Sequence, residues 1–294
     1  MMDLITLGLV LAFREPGCPI CRLRTDSVER YLFNLLYENV NDGTTRLHLV
    51  RSQGFCANHA WRLQAIEHSN WHDGMGVGII YEDLTSRVLN TLGEYLARPA
   101  QPLGRIATFL RRHGSGRRLQ LRRWGRLGRW LADRAPEPAR WLLTRLAPLE
   151  RCWVCEMADQ SEEGYLTWLA RQITDPEFRE RYAASDGLCL PHLRRALAHA
   201  QTEEAVRWLV QITVEKVTPL AIDLREYSRK HAWHFRDEPK HPWEQASWIR
   251  AVALFAGEPD NTLDESVRQA RLQAAITYRN RPATVAQGSG GRIA

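Results

Sequence analysis

Cys18-Pro19-Ile20-Cys21 and Gly54-Phe55-Cys56-Ala57-Asn58-His59 recur, in the same order, as Cys152-Trp153-Val154-Cys155 and Gly187-Leu188-Cys189-Leu190-Pro191-His192. Each copy reads C-x2-C, a gap, then glycine, a hydrophobic residue and C-x2-H. The second and third cysteines are separated by 34 residues in the first copy and 33 in the second, and all six cysteines of the chain fall in these motifs. Three thiolates and an imidazole complete a tetrahedral zinc shell with no position left for water. Three cysteines per copy cannot all pair as disulfides within the copy. A glycine before the third cysteine suits a turn at positive φ. Two zinc ions are therefore expected, one on Cys18, Cys21, Cys56 and His59, the other on Cys152, Cys155, Cys189 and His192. An iron–sulfur centre is the alternative cofactor, because thiolate-rich sites suit both. A thioredoxin-type dithiol fits less well, since no βαβ pattern surrounds either C-x-x-C.

The repeat extends beyond the ligands. Setting Cys18 on Cys152 places Glu29 on Glu163, Tyr31 on Tyr165, Leu32 on Leu166 and Leu35 on Leu169. The apolar positions have helical spacing. The unit is a C-x2-C, a long helix, a loop, and a C-x2-H opening another helix, so the chain is expected to be an all-α internal duplication of a metal-stapled helical hairpin. Helices are expected over 3–14, 23–40, 56–68 with Trp61 beside the metal, 79–96, 139–146, 165–172, 192–200, 203–231 with Pro219 inside, 243–254 and 263–278. Asn41-Asp42-Gly43 reads as a helix stop, residues 44–53 as an extended piece and 70–78 as a loop. Four segments follow: 1–97 as the first repeat, 98–150 as a basic Arg/Trp-rich linker or amphipathic helix, 151–257 as the second repeat with its C-terminal helices, and 258–294 as a short helix and a disordered tail.

At 294 residues, 44% hydrophobic and with eleven tryptophans, the chain can build a substantial core. Its net charge of +6 is unevenly spread: Arg98 to Arg151 holds fourteen arginines against Asp133, Glu137 and Glu150, a net of +11 that leaves −5 for the rest. On residues 117–134 Arg118, Arg122, Arg126 and Arg129 share one helical face and Leu121, Trp124, Leu127 and Leu131 another. Arginine forks bind phosphate and tryptophans stack on bases. The partner implied is nucleic acid, with an acidic protein or an anionic membrane surface as the other candidates. The apolar run Leu4–Phe13 has no basic leader or cleavage site and is too short to cross a bilayer. Ligand-type free cysteines point to a reducing compartment, read as the cytoplasm.

The order C-P-x-C-R, G-F-C-x2-H, C-x2-C and G-L-C-x-P-H, with His234-Phe235-Arg236-Asp237-Glu238-Pro239 and Trp243 later, resembles an uncharacterised bacterial family known only as a domain of unknown function. The resemblance spans roughly residues 5–257 outside the basic segment. It implies a helical protein with two metal-binding half-sites and no assigned activity.

Function is thus read as a zinc-binding helical scaffold or adaptor engaging an anionic partner. A redox-responsive zinc–thiolate protein is the first alternative. A metal-dependent enzyme using the His231–His241 region is the second, since His231, His234 and His241 bracket Asp237 and Glu238. A non-enzyme is favoured: no G-x-x-x-x-G-K-[ST], G-x-S-x-G or H-E-x-x-H occurs, and Gly74–Gly78 matches a phosphate loop in glycine content alone.

Overall fold

The computed structural model describes residues 3–98, 137–258 and 265–281. Among them the chain is all-α, with no strand. It divides into two compact units, one of Met1–Arg30 with Met157–Ala294 and one of Tyr31–Glu156. Both divisions fall inside helices, Pro19–Asn34 and Trp153–Gln172.

In the first unit Asp3 caps the helix Leu4–Arg14 by accepting from the amides of Ile5 and Thr6. One face of that helix buries Leu9, Val10 and Phe13 in a cluster with Leu166 and Leu169 of Trp153–Gln172, with Ile173 just after it, and with Phe178 and Tyr182 of Pro176–Ala183. The Phe13 ring meets Phe178 edge-on, with centroids 5.4 Å apart. Burial of such side chains contributes roughly 1.5–3 kcal/mol each. Trp168 Nε1 donates to Thr6 Oγ1 at 2.7 Å, so the half-buried indole has its polar atom satisfied. Asp175 caps Pro176–Ala183 and Thr202 caps the long helix Glu203–Arg229, which runs through Pro219. The helices Leu190–His199, Pro242–Gln245, Ser247–Ala256 and Glu265–Arg279 complete the unit.

In the second unit Leu32, Leu35, Leu49, Leu63 and Ile80 are buried. The four aligned leucines of the repeat (Leu32, Leu35, Leu166 and Leu169) are all inside their respective units. Two local expectations fail here. Residues 44–53 are not extended: Gly43–Ser52 is a helix, because Asp42 accepts from the Thr45 amide as an N-cap. The residue read as a stop therefore starts the next helix, since Asp serves both signals. The loop after residue 70 is also shorter, with a helix running Met75–Leu96. The buried Glu67 carboxylate accepts from the Gly76 and Val77 amides and so satisfies donors that the glycine-rich start would otherwise leave unpaired. Glu137–Leu146 closes the described part, with Trp141 held between the guanidinium groups of Arg98 and Arg145. Among the described residues no single helix is long and apolar enough to cross a membrane.

Candidate metal centres

The eight motif residues gather into two tight groups, each within one unit: Cys18, Cys21, Cys189 and His192 in the first, Cys56, His59, Cys152 and Cys155 in the second. In each group the ligand atoms all lie within 4.8 Å of one another. The expected pairing within a copy is overturned. The C-x2-C of one copy meets the C-x2-H of the other. The reason is helix length. Sixteen residues follow Cys18 as the helix Pro19–Asn34 and twenty follow Cys152 as Trp153–Gln172. At 1.5 Å per residue these span about 24 and about 30 Å. Each rod carries the chain away from its own C-x2-C before the next C-x2-H is reached.

The local geometry is the same in both. Cys56 and Cys189 are N-cap residues, at φ −64 ψ 161 and φ −68 ψ 160, and each is followed three residues on by the ligand histidine in the first helical turn. Gly54 and Gly187 precede them at φ +93 and +77, as the sequence predicts. Cys18 and Cys152 stand just before helix starts, with Cys21 and Cys155 in the first turns. Four helix N-termini thus point at the sulfurs, and their partial positive charge favours thiolates.

In the first group His192 Nδ1 lies 3.4, 3.3 and 3.0 Å from the sulfurs of Cys18, Cys21 and Cys189. The Cys21 and Cys189 sulfurs are 3.8 Å apart. In the second, His59 Nδ1 lies 3.3, 3.6 and 3.4 Å from Cys56, Cys152 and Cys155, and the Cys56 and Cys155 sulfurs are 3.7 Å apart. A tetrahedral zinc with its usual bond lengths would set sulfurs about 3.8 Å apart and sulfur to nitrogen about 3.6 Å. These distances are far longer than a disulfide, and all six cysteines are free.

The groups differ in their surroundings. All four ligands of the first are buried. His192 Nε2 bonds Glu162 Oε1 at 2.8 Å, and this buried carboxylate also accepts from Arg24 Nε at 2.8 Å and from Arg195. An outer carboxylate of this kind fixes the ring and makes its other nitrogen a better ligand. Gly257 covers the same group at φ +82, where an added Cβ would stand 3.4 Å from Cys21 Sγ and 3.5 Å from Cys189 Sγ. The next amide, of Glu258, donates to Cys21 Sγ at 3.2 Å. In the second group Cys56 and Cys155 are half-exposed, and the buried His59 Nε2 has no hydrogen-bond partner.

Charge is shared within each group. Burial opposes the imidazolium of His59, but the hydrogen bonds it donates to the sulfurs of Cys152 and Cys56 outweigh that and hold the pKa up to about 9. His192 is likewise held up to about 9, burial being outweighed by Cys18 and Glu162. Hydrogen bonds with Cys18 and Cys21 bring Cys189 down to about 4, while Cys56 is lowered by Cys152 and Cys155. Cys21 and Cys155 are raised by the neighbouring thiols that they protonate towards, Cys18 and Cys152 first. Burial raises the Glu162 carboxyl, and its bond to His192 and the charges around it more than reverse that.

Other sequence readings fare differently. Trp61 is 70% exposed. Arg118, Arg122, Arg126 and Arg129 lie outside the described residues. His231, His234 and His241 do not form a metal-holding group: His231 Nδ1 bonds Tyr227 O at 2.6 Å, and His241 stacks on Trp243 while capping Pro242–Gln245. Glu162 and Gly257 were missed. The signal for Glu162 was its place two helical turns after Cys155, but its partner comes from Leu190–His199.

Fold and site together define an all-α protein with two Cys3His groups compatible with metal binding. The chain belongs to the family described as "Family of unknown function (DUF6062)", whose profile matches residues 2–261. It is similar to an uncharacterised 23.9 kDa protein in the xynA 3' region of Caldicellulosiruptor sp. (strain Rt8B.4), at 22% identity over 247 residues, 83% of this chain and 97% of that one. No solved structure matches it.

Proposed function

We propose that this protein is a zinc-stapled helical scaffold, with one ion on Cys18, Cys21, Cys189 and His192 and another on Cys56, His59, Cys152 and Cys155. The observation that carries this reading is the pair of Cys3His groups at tetrahedral spacing. Thiolate and imidazole donors in a closed set suit zinc, with an iron–sulfur centre as the less favoured occupant. Bound zinc would tie four helix starts together, and its binding free energy would be folding free energy. Free cysteines so arranged fit a reducing compartment such as the cytoplasm. The scaffold would present the arginine-rich segment around Arg118, Arg122, Arg126 and Arg129 to an anionic partner, nucleic acid first; the support for this part is the sequence. Metal analysis of protein purified without added metal tests the first part: two zinc per chain are expected, and none, or iron with sulfide, would overturn it. Duplex binding measured against salt tests the second: affinity falling steeply with salt is expected, and no binding at low salt would overturn it.

A redox-responsive reading is favoured at the second site alone, because Cys56 and Cys155 are half-exposed and their sulfurs are 3.7 Å apart. Hydrogen peroxide would take two electrons from the two thiolates and, with two protons from solvent, become two waters as the S–S bond forms, and zinc would leave.

A further inference from the structure

The first unit contains a cleft of about 500 Å³, one wall of which is formed by Cys18 and Cys189. Such a volume accommodates a small organic ligand. Its cationic side chains are Lys216, Arg250, Arg271, Arg279 and Arg281. Three carboxylates answer them: Asp223 is shared by Arg250 and Arg281, Asp186 pairs with Arg279, and Glu258 pairs with Arg271. Five cations against three paired carboxylates leave the lining with more cations than carboxylates, an excess that the sulfurs of Cys18 and Cys189 in the wall offset in part. The imbalance has specific owners. Lys216 Nζ donates to the Ala183 carbonyl at 2.6 Å and has no carboxylate in ion-pair reach among the described residues. Burial lowers its pKa, against the opposing charges of Asp186 and Glu215. Arg281, with a side chain only 8% exposed, and Arg271 each keep a buried Nε–H without an acceptor. Unmet donors of this kind cost roughly 1–3 kcal/mol each unless something accepts from them. The remaining wall is hydrocarbon, from Leu188, Val217, Leu220, Ile249, Leu254 and Ala275.

We propose that this cleft binds a small amphipathic organic anion, its carboxylate or phosphate group taken by Lys216 and Arg281 and its apolar part laid against the leucine and isoleucine wall. An inorganic ion would satisfy the charge and leave the hydrocarbon wall wet. A neutral ligand would leave the cations uncompensated. The cleft borders the first Cys3His group, through Cys18 and Cys189, but the cations assigned to the ligand are not among that group's residues.

The test is calorimetric titration of the full-length, metal-loaded protein with octanoate, octyl phosphate and inorganic phosphate. Saturable binding of an octyl probe is expected, with inorganic phosphate weaker by at least about tenfold. Binding of octyl phosphate alone identifies a phosphate ester as the ligand class, binding of octanoate alone a carboxylic acid, and both outcomes support the cleft. Lys216→Met should weaken the octyl probe at least about tenfold and Lys216→Arg should restore it. Should Lys216→Met not fold, Ala253→Glu, which sets a carboxylate on the half-buried wall, should give the same loss. Metal content measured in parallel separates a lost contact from a collapsed unit. No saturable binding of either octyl probe, or binding undiminished in the folded variants, would overturn the proposal.

Discussion

Cys21 and Cys189 are 168 positions apart in the chain and 3.8 Å apart at their sulfurs. Neither repeat can complete a metal site alone. A C-x2-C at the start of one long helix is closed by the C-x2-H of the other copy, so each site joins distant parts of the sequence. A link between residues so far apart restricts the unfolded chain more than a short local loop would, by about 0.6 kcal/mol for each doubling of the loop.

Metal removal should therefore act on the whole fold. Strong chelation under reducing conditions is expected to lower Tm sharply and to lose helical circular dichroism, because structural zinc binding is worth roughly 10–16 kcal/mol per site. Unchanged melting after the metal has gone would show that the helices stand without it.

Glu162→Gln should weaken metal binding at the first site by about 10- to 100-fold, since the carboxylate that orients His192 is lost. The second site, whose histidine has no such partner, should keep its affinity. Competition with a chromophoric chelator reads the two affinities separately; equal losses at both sites would count against the assignment.

The two ions should leave in order. Dilute peroxide or a mild chelator is expected to empty the site with half-exposed Cys56 and Cys155 first, and the buried site later. Time-resolved zinc release should show two phases, and mass mapping should place the first modified cysteines at 56 and 155. A single phase affecting all six cysteines alike would refute this order.

Binding should release protons. In the metal-free protein His59 and His192, held up to about 9, are protonated at neutral pH, whereas a zinc-bound imidazole has lost that proton. At least one proton per site should appear when calorimetry at pH 7 is compared in two buffers, and the number should fall as pH rises through 9. Metal affinity should fall with acid. The metal-free fold has the opposite sign: a raised histidine pKa contributes stability that is complete below about 6.5, the ordinary value, and is lost as pH rises through 9.

Gly257→Ala should destabilise the first unit. Its φ +82 and ψ −172 fall where side chains are costly, by about 1–3 kcal/mol, and the new methyl would press on the sulfurs of Cys21 and Cys189. Thermal melting of the metal-loaded variant measures the loss; an unchanged Tm would show that the backbone shifts freely there.

The ligands, the glycine turns and the helical class were legible because each is local. Gly54 and Gly187 sit two residues before the N-cap cysteine they position, and Leu32, Leu35, Leu166 and Leu169 declare a buried face by spacing alone. The pairing of half-sites was not legible. Spacing says that Cys56 follows Cys21 by a fixed interval; it does not say where a rod of sixteen residues ends. Glu162 was hidden for the same reason, since its role depends on His192 of another helix. Asp42 was misread because a residue that ends one helix and a residue that caps the next look alike in sequence.

The crossed pairing is tested most directly by thiol labelling of the Cys189→Ser variant, read by mass mapping of every cysteine. Cys18 and Cys21 should become reactive while Cys152 and Cys155 stay protected, with zinc falling from two to one per chain. Reactive Cys152 and Cys155 beside protected Cys18 and Cys21 would contradict the account and restore a separate site within each repeat.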